Sequence, residues 1–248
     1  MSAAHQLSEL EYPPILKPLL VQIGEYFPEG VEHDKVTGGI SIKASLTREQ
    51  QVALAFFRLF FQSSEVLCNL NVVINDMFAL ALRPPALASE GERRYFLLTR
   101  LFFYEIARLR DILPRFLKYL EEANVVEKKE RKEVALQAQR LFEEHYSIRN
   151  VFLHGPTFPR TGGEIDLSLL AGLEQDGYVP SLAKKGGGLV TEYPDILKKL
   201  AVDRSDALYR IGSDTFRLVQ SIMTVLALHI AHHDLKMDIS HPASRSGP

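Results

Sequence analysis

An all-α bundle of long helices is the fold class this sequence predicts, and three observations predict it. Two stretches open on a capping-box pattern and then stay apolar-rich, one as far as Leu82 and the other as far as Glu122. A third helical stretch, from about Tyr193 to Asp234, closes the periodic part of the chain. Loose alternation is confined to a short segment around Gly38-Gly39, and glycines gather in residues 157–190. The bundle is therefore expected to carry a small glycine-rich insert of loops with room for short strands.

The first 46 residues are expected to be irregular, with Pro13, Pro14 and Pro18 followed by a small hairpin in VEHDKVTGGISIKASL. Thr47-Arg48-Glu49-Gln50 has a capping threonine and a glutamine three residues later, so a helix begins there and Arg83-Pro84-Pro85 ends it. Ser89-Glu90-Gly91-Glu92 repeats the pattern, and the helix behind it contains Pro114, where a kink is expected. A third helix reads from about Glu127 to His154 and stops at Gly155-Pro156. The division that results is a helical core over 47–156, the insert over 157–190, a helix over 191–236 that could break near Asp203, and a tail over 237–248. The first helix is apolar off its main stripe, at Phe57, Phe61, Val72 and Val73. Such a helix is either central in the bundle or also covered by a second subunit.

Composition limits the function classes. The chain has 248 residues, 46% hydrophobic and 24% charged, with 29 Lys+Arg against 31 Asp+Glu and a net charge of -2. A wholly basic nucleic-acid-binding domain is excluded, so any RNA contact must be local. Cys68 is the one cysteine, which removes an intramolecular disulfide and any cysteine-built zinc site. The start MSAAHQLSELEYPP lacks a secretory pattern and VALAFFRLFF is interrupted by Arg58, so a cytoplasmic protein without membrane contact is expected.

The informative cluster is HYSIRNVFLHGP. Arg149, Asn150 and His154 place three polar groups at the end of an apolar helix. Asn150 and His154 share a face at about 40°, whereas Arg149 stands about 140° from His154. An imidazole in a last helical turn is a proton carrier at neutral pH, and a guanidinium beside it is a fixed fork for phosphate. Those groups suffice for metal-free phosphodiester cleavage. A helix-capping histidine with an ordinary arginine ion pair is the structural alternative.

Arg149-Asn150-Val151-Phe152-Leu153-His154-Gly155 resembles the R-N-x-x-x-H signature of HEPN domains, set as in that family at the carboxyl end of a long helix in an all-helical bundle. The resemblance covers roughly residues 47–156 and the final helix. It implies a metal-independent endoribonuclease in which the RNA 2′-hydroxyl attacks the neighbouring phosphate, with a composite site across a homodimer. Arg149 and His154 would then be the catalytic pair and Asn150 the residue that orients them, with no cofactor and no metal. Family members include toxins and phage-defence effectors, so an antitoxin or regulatory protein is an implied partner beside RNA. Others are non-catalytic modules that bind RNA, a nucleotide or a protein. The tyrosine that one subgroup carries beyond the histidine is replaced here by Gly155-Pro156.

Glu105 interrupts the apolar stripe Leu98, Phe102, Leu109, Ile112, Phe116. A carboxylate there needs a partner, either Arg149 or the nearby Arg108. Arg100, Tyr104, Arg108, Asp111 and Arg115 follow helical spacing and form either an RNA-tracking row or a solvated face. His229, His232 and His233 lack a cysteine or glutamate to complete a zinc site, and Gly186-Gly187-Gly188 lacks the order of a phosphate loop. Cys68 reads as a small core residue.

Overall fold

The computed structural model describes residues 6–18, 21, 31–33, 40–42, 47–122, 124–143, 147, 150, 161–177, 181–183 and 190–233. It is an all-α helical bundle, as the periodicity predicts. The helices are α1 (Arg48–Leu82), α2 (Ala88–Glu122), α3 (Lys128–Leu141), α4 (Gly162–Gln175) and α5 (Tyr193–His233). Two short antiparallel hairpins accompany them, β1 (Val31–His33) with β2 (Ile40–Ile42) and β3 (Ser181–Ala183) with β4 (Val190–Glu192). In the first hairpin Val31 faces Ile42 and His33 faces Ile40, a register that centres the connection on the expected segment.

The helix ends explain the boundaries. At α1 the capping box is complete: Gln50 N donates to Thr47 Oγ1 at 3.3 Å, and Thr47 N donates to Gln50 Oε1 at 3.0 Å. The end of α2 is a Schellman turn on Asn124, whose φ is 54°, with Val125 N donating to Leu120 O and Asn124 N to Glu121 O, each at 2.9 Å. Helix α2 continues through Pro114, and α5 continues through Asp203 without the expected break.

Two expectations are corrected. Residues 157–190 are not all loop and strand, because Gly162–Gln175 is helical. Thr161 accepts from Glu164 N and Glu164 accepts from Thr161 N, so a capping box offsets the helix-weakening Gly162-Gly163. The second capping box fails because Ser89 lies inside α2, and a remote residue, Glu174, satisfies its first amides. The chain forms two compact units, each assembled from three chain segments. Long helices cause this, since α1, α2 and α5 each contribute residues to both units.

One unit comprises Met1–Ser8, Glu65–Leu109 and Arg140–Phe216. Its core joins Leu70, Ile74 and Met77 of α1, Tyr95, Phe102 and Ile106 of α2, Leu167 and Leu170 of α4, and Tyr193, Leu197 and Leu208 of α5. The other comprises Glu9–Ser64, Arg110–Gln139 and Arg217–Pro248, with Leu16, Val52, Phe56, Phe116, Leu120 and Met223 buried. In it Phe56 meets Phe116 edge-on at 4.8 Å, and Tyr12 Oη donates to Ala53 O at 3.1 Å. Burial without a charged partner raises the Tyr12 pKa.

Helix α1 is long and apolar enough to cross a membrane by length and composition, contrary to the expectation drawn from Arg58. A central bundle helix meets the same test, and Val66, Leu70, Ile74 and Met77 are buried on it. Of the four residues off its stripe, Val73 is buried, while Phe57, Phe61 and Val72 are exposed. Cys68 is exposed too, which corrects its placement in the core.

Candidate functional site

Among the motif residues, Asn150 has helical backbone, is partly exposed and makes an interaction of its own. Arg149 and His154 lie outside the described residues. So do His154's successors as far as Arg160, and the chain is next described at Thr161.

Thr161 opens a closely bonded polar cluster. Glu164 is only 1% exposed, and both of its carboxylate oxygens are occupied. Oε1 accepts from Tyr95 Oη at 2.8 Å and from Arg204 Nη2 at 2.5 Å. Oε2 accepts from Thr161 N at 2.8 Å and from Thr161 Oγ1 at 3.1 Å. Arg204 Nε also donates to Tyr95 Oη at 3.0 Å, which closes the triangle. Burial works against the Glu164 charge, but the Thr161 amide, the Tyr95 hydroxyl and Arg204 outweigh it and hold the carboxyl below its ordinary value. Burial similarly opposes charge on Arg204, yet Tyr95 and Glu164 raise its pKa. The Tyr95 hydroxyl is pushed up to about 12, chiefly by burial and partly offset by Arg204.

A second carboxylate performs a related task. Glu174 accepts from Ala88 N at 2.9 Å, from Ser89 N at 3.0 Å and from Ser89 Oγ at 2.8 Å, so the amino terminus of α2 is bound by α4. Ser168 of α4 also donates to Glu92. None of Tyr95, Glu164, Arg204 and Glu174 stands out by pattern alone. The T-x-x-E spacing at Thr161 was the available signal, hidden by the glycines between its ends.

Glu105 is paired with Arg108, while Arg149, the other expected partner, lies outside the described residues. Glu105 accepts from Arg108 Nη1 at 2.7 Å and from Asn69 Nδ2 at 3.1 Å, and Arg108 also reaches Glu65 at 3.4 Å. Burial disfavours the Arg108 charge, but Glu105 and Glu65 raise its pKa overall. Arg108 is therefore held between two carboxylates of its own unit. Arg100 and Tyr104 are exposed, while Arg115 is exposed with its Nε donating to Asp111 O at 3.0 Å.

No family model, curated protein or solved structure matches the chain. The motif at 149–155 and the chemistry of its residues therefore carry the functional reading. Among the described residues no group of His, Asp, Glu and Cys is arranged to hold a metal ion.

Proposed function

We propose that the protein is a metal-independent endoribonuclease of the HEPN type, working as a homodimer in the setting of a toxin or phage-defence effector. The observation that carries this is the R-N-x-x-x-H order of Arg149, Asn150 and His154 behind two long capped helices. His154 exchanges a proton during attack of the 2′-hydroxyl on the adjacent phosphate. Arg149 stabilises the charge that grows on the phosphoryl oxygens as the 5′-oxygen leaves. Asn150 orients the pair. The all-α bundle and the helical backbone at Asn150 support this reading, in which Glu105 is a supporting residue.

The alternative reading is a non-catalytic helical module of the same type that binds RNA, a nucleotide or a protein partner. Cleavage of a mixed RNA pool in EDTA separates the two. The parent is expected to leave 2′,3′-cyclic phosphate ends, with His154→Ala slower by about 10²–10⁴-fold and as stable as the parent. RNA bound and left intact by parent and variants alike would establish the non-catalytic module.

A further inference from the structure

A cavity of about 170 Å³ opens between α1 and α2 in the unit that contains Glu9–Ser64 and Arg110–Gln139. Gln51, Leu54, Ala55 and Arg58 line it from one face of α1, and Tyr119 and Glu122 line it from α2. Its size admits one flat ring and little more. A cavity of about 150 Å³ holds a benzene, whereas drug-sized ligands occupy about 300 Å³ or more.

The walls say which ring. Arg58 is half-buried and makes no ion pair or hydrogen bond among the described residues, and its guanidinium carbon stands 5.1 Å over the Tyr119 ring. Tyr119 is 42% exposed, so the fold does not close that ring off. Glu122 lies three residues further along α2, about 4.5 Å in rise, and Lys118 Nζ stands 3.7 Å from it, beyond hydrogen-bond reach. The cavity therefore presents a donor-only fork, an acceptor-only carboxylate and an aromatic ring. A bare phosphate suits Arg58 but is repelled by Glu122, and an apolar ring leaves both charges without hydrogen bonds. Guanine meets all three groups. Its O6 and N7 accept both bonds of an arginine fork, its N1 and N2 hydrogens donate to a carboxylate, and its ring stacks on a tyrosine. Adenine sets an amino donor where guanine has O6, against the guanidinium, and the pyrimidines lack N7.

We propose that this cavity is a guanine-base subsite, with Arg58 at O6 and N7, Glu122 at N1 and N2, and Tyr119 as the stacking ring. The sugar and phosphate lie outside it, so the base arrives within an RNA strand or as a free guanine nucleotide. The first source rests on the ribonuclease reading and gives its substrate a base preference, whereas the base chemistry itself is independent of that reading.

Isothermal titration calorimetry on the full-length chain tests it, with 2′-O-methylated uridine pentamers carrying guanine, adenine or uracil at the centre. The blocked 2′-hydroxyl allows binding without cleavage. The guanine pentamer is expected to bind about 10-fold or more tightly than the other two. Arg58→Lys keeps the charge and loses the fork, so most of that preference should disappear. Glu122→Gln should narrow the gap to adenine, because a glutamine amide pairs with an adenine edge as both donor and acceptor, with helicity by circular dichroism unchanged in either variant. Guanosine monophosphate binding as tightly as the guanine pentamer identifies the free nucleotide as the source, and binding of the pentamer alone identifies the strand. Equal binding of the three pentamers, no binding of pentamer or mononucleotide, or a guanine preference that survives both substitutions overturns the proposal. Guanine-selective binding by a chain that cuts no RNA leaves the subsite without the ribonuclease, and cleavage without guanine preference in binding leaves the ribonuclease without the subsite.

Discussion

Replacing Glu164 by alanine is the sharpest test of the cluster that follows the motif. The change leaves Arg204 and Tyr95 without their common acceptor, with the Arg204 side chain 20% exposed and Tyr95 1% exposed. Breaking a buried charge pair costs about 3–5 kcal/mol, and the partial exposure of Arg204 places this one near 3. Loss of the Glu164 half of the α4 capping box, which leaves Thr161 N without its acceptor while the Thr161 hydroxyl still caps the helix, adds up to about 1 kcal/mol, so the expected total is about 3–4 kcal/mol. In a chain of this length that lowers Tm by about 6–16 °C, measured by differential scanning calorimetry. Glu164→Gln keeps an acceptor for Tyr95 but aims an amide donor at Thr161 or Arg204, and should cost about 1–2 kcal/mol. Because the folded Glu164 carboxyl lies below its ordinary value of 4.5, its contribution is present above that value and lost as pH falls through the folded one. The gap between parent and Glu164→Gln should accordingly close in acid below pH 4.5 and remain constant at neutral pH. An alanine variant within about 1 kcal/mol of the parent, or a glutamine variant as damaged as alanine, would refute the clasp.

The remaining predictions concern tyrosines and one glycine. Tyr193 Oη is buried with no hydrogen-bond partner, so Tyr193→Phe is expected to be neutral or to raise stability by up to about 1 kcal/mol in a thermal melt. A Cβ on Gly91 would stand 2.0 Å from Tyr193 Oη and 2.8 Å from Leu197 Cδ2, so Gly91→Ala should cost about 1–3 kcal/mol despite alanine's better helix propensity, with part of the loss recovered when Tyr193→Phe is added. Burial raises Tyr95 and Tyr193 to about 12 from an ordinary 10.0, so their contribution is intact below pH 10.0 and disappears as pH climbs toward 12. Absorbance titration near 295 nm should show these two ionising together with alkaline unfolding, and early, reversible ionisation of all tyrosines would contradict their burial.

The legible features of this fold are those encoded by neighbours. Thr47 and Gln50 are three residues apart and mark α1, while the apolar periodicity of α2 and α5 survives Pro114 and Asp203. Helix α4 was hidden because Gly162, Gly163 and Gly172 carry poor helix propensity, although Thr161 and Glu164 supply its cap. Pattern narrowed the partner of Glu105 to two arginines, and the pairing with Arg108 depends on the rotamers of side chains three residues apart on α2. The exposure of Phe61 and Val72 follows from apolar residues occupying more than one helix face, but which of them surfaces depends on what packs beside α1.

Glu174 shows why the glycine-rich stretch is not a detachable insert. The first amides of α2 have no local acceptor, since Glu92 is turned to Ser168, and a carboxylate from α4 satisfies them across 85 positions of sequence. Tyr95 and Arg204 depend on the same helix through Glu164. Removing residues 157–190 would therefore strand two backbone donors, a buried hydroxyl and a guanidinium at once, each costing about 1–3 kcal/mol or more. Those costs approach the whole stability of a domain, about 5–15 kcal/mol, so the region following the motif is part of what keeps its unit folded. Activity lost on such a deletion would report unfolding, which is why the motif is better tested by His154→Ala than by truncation.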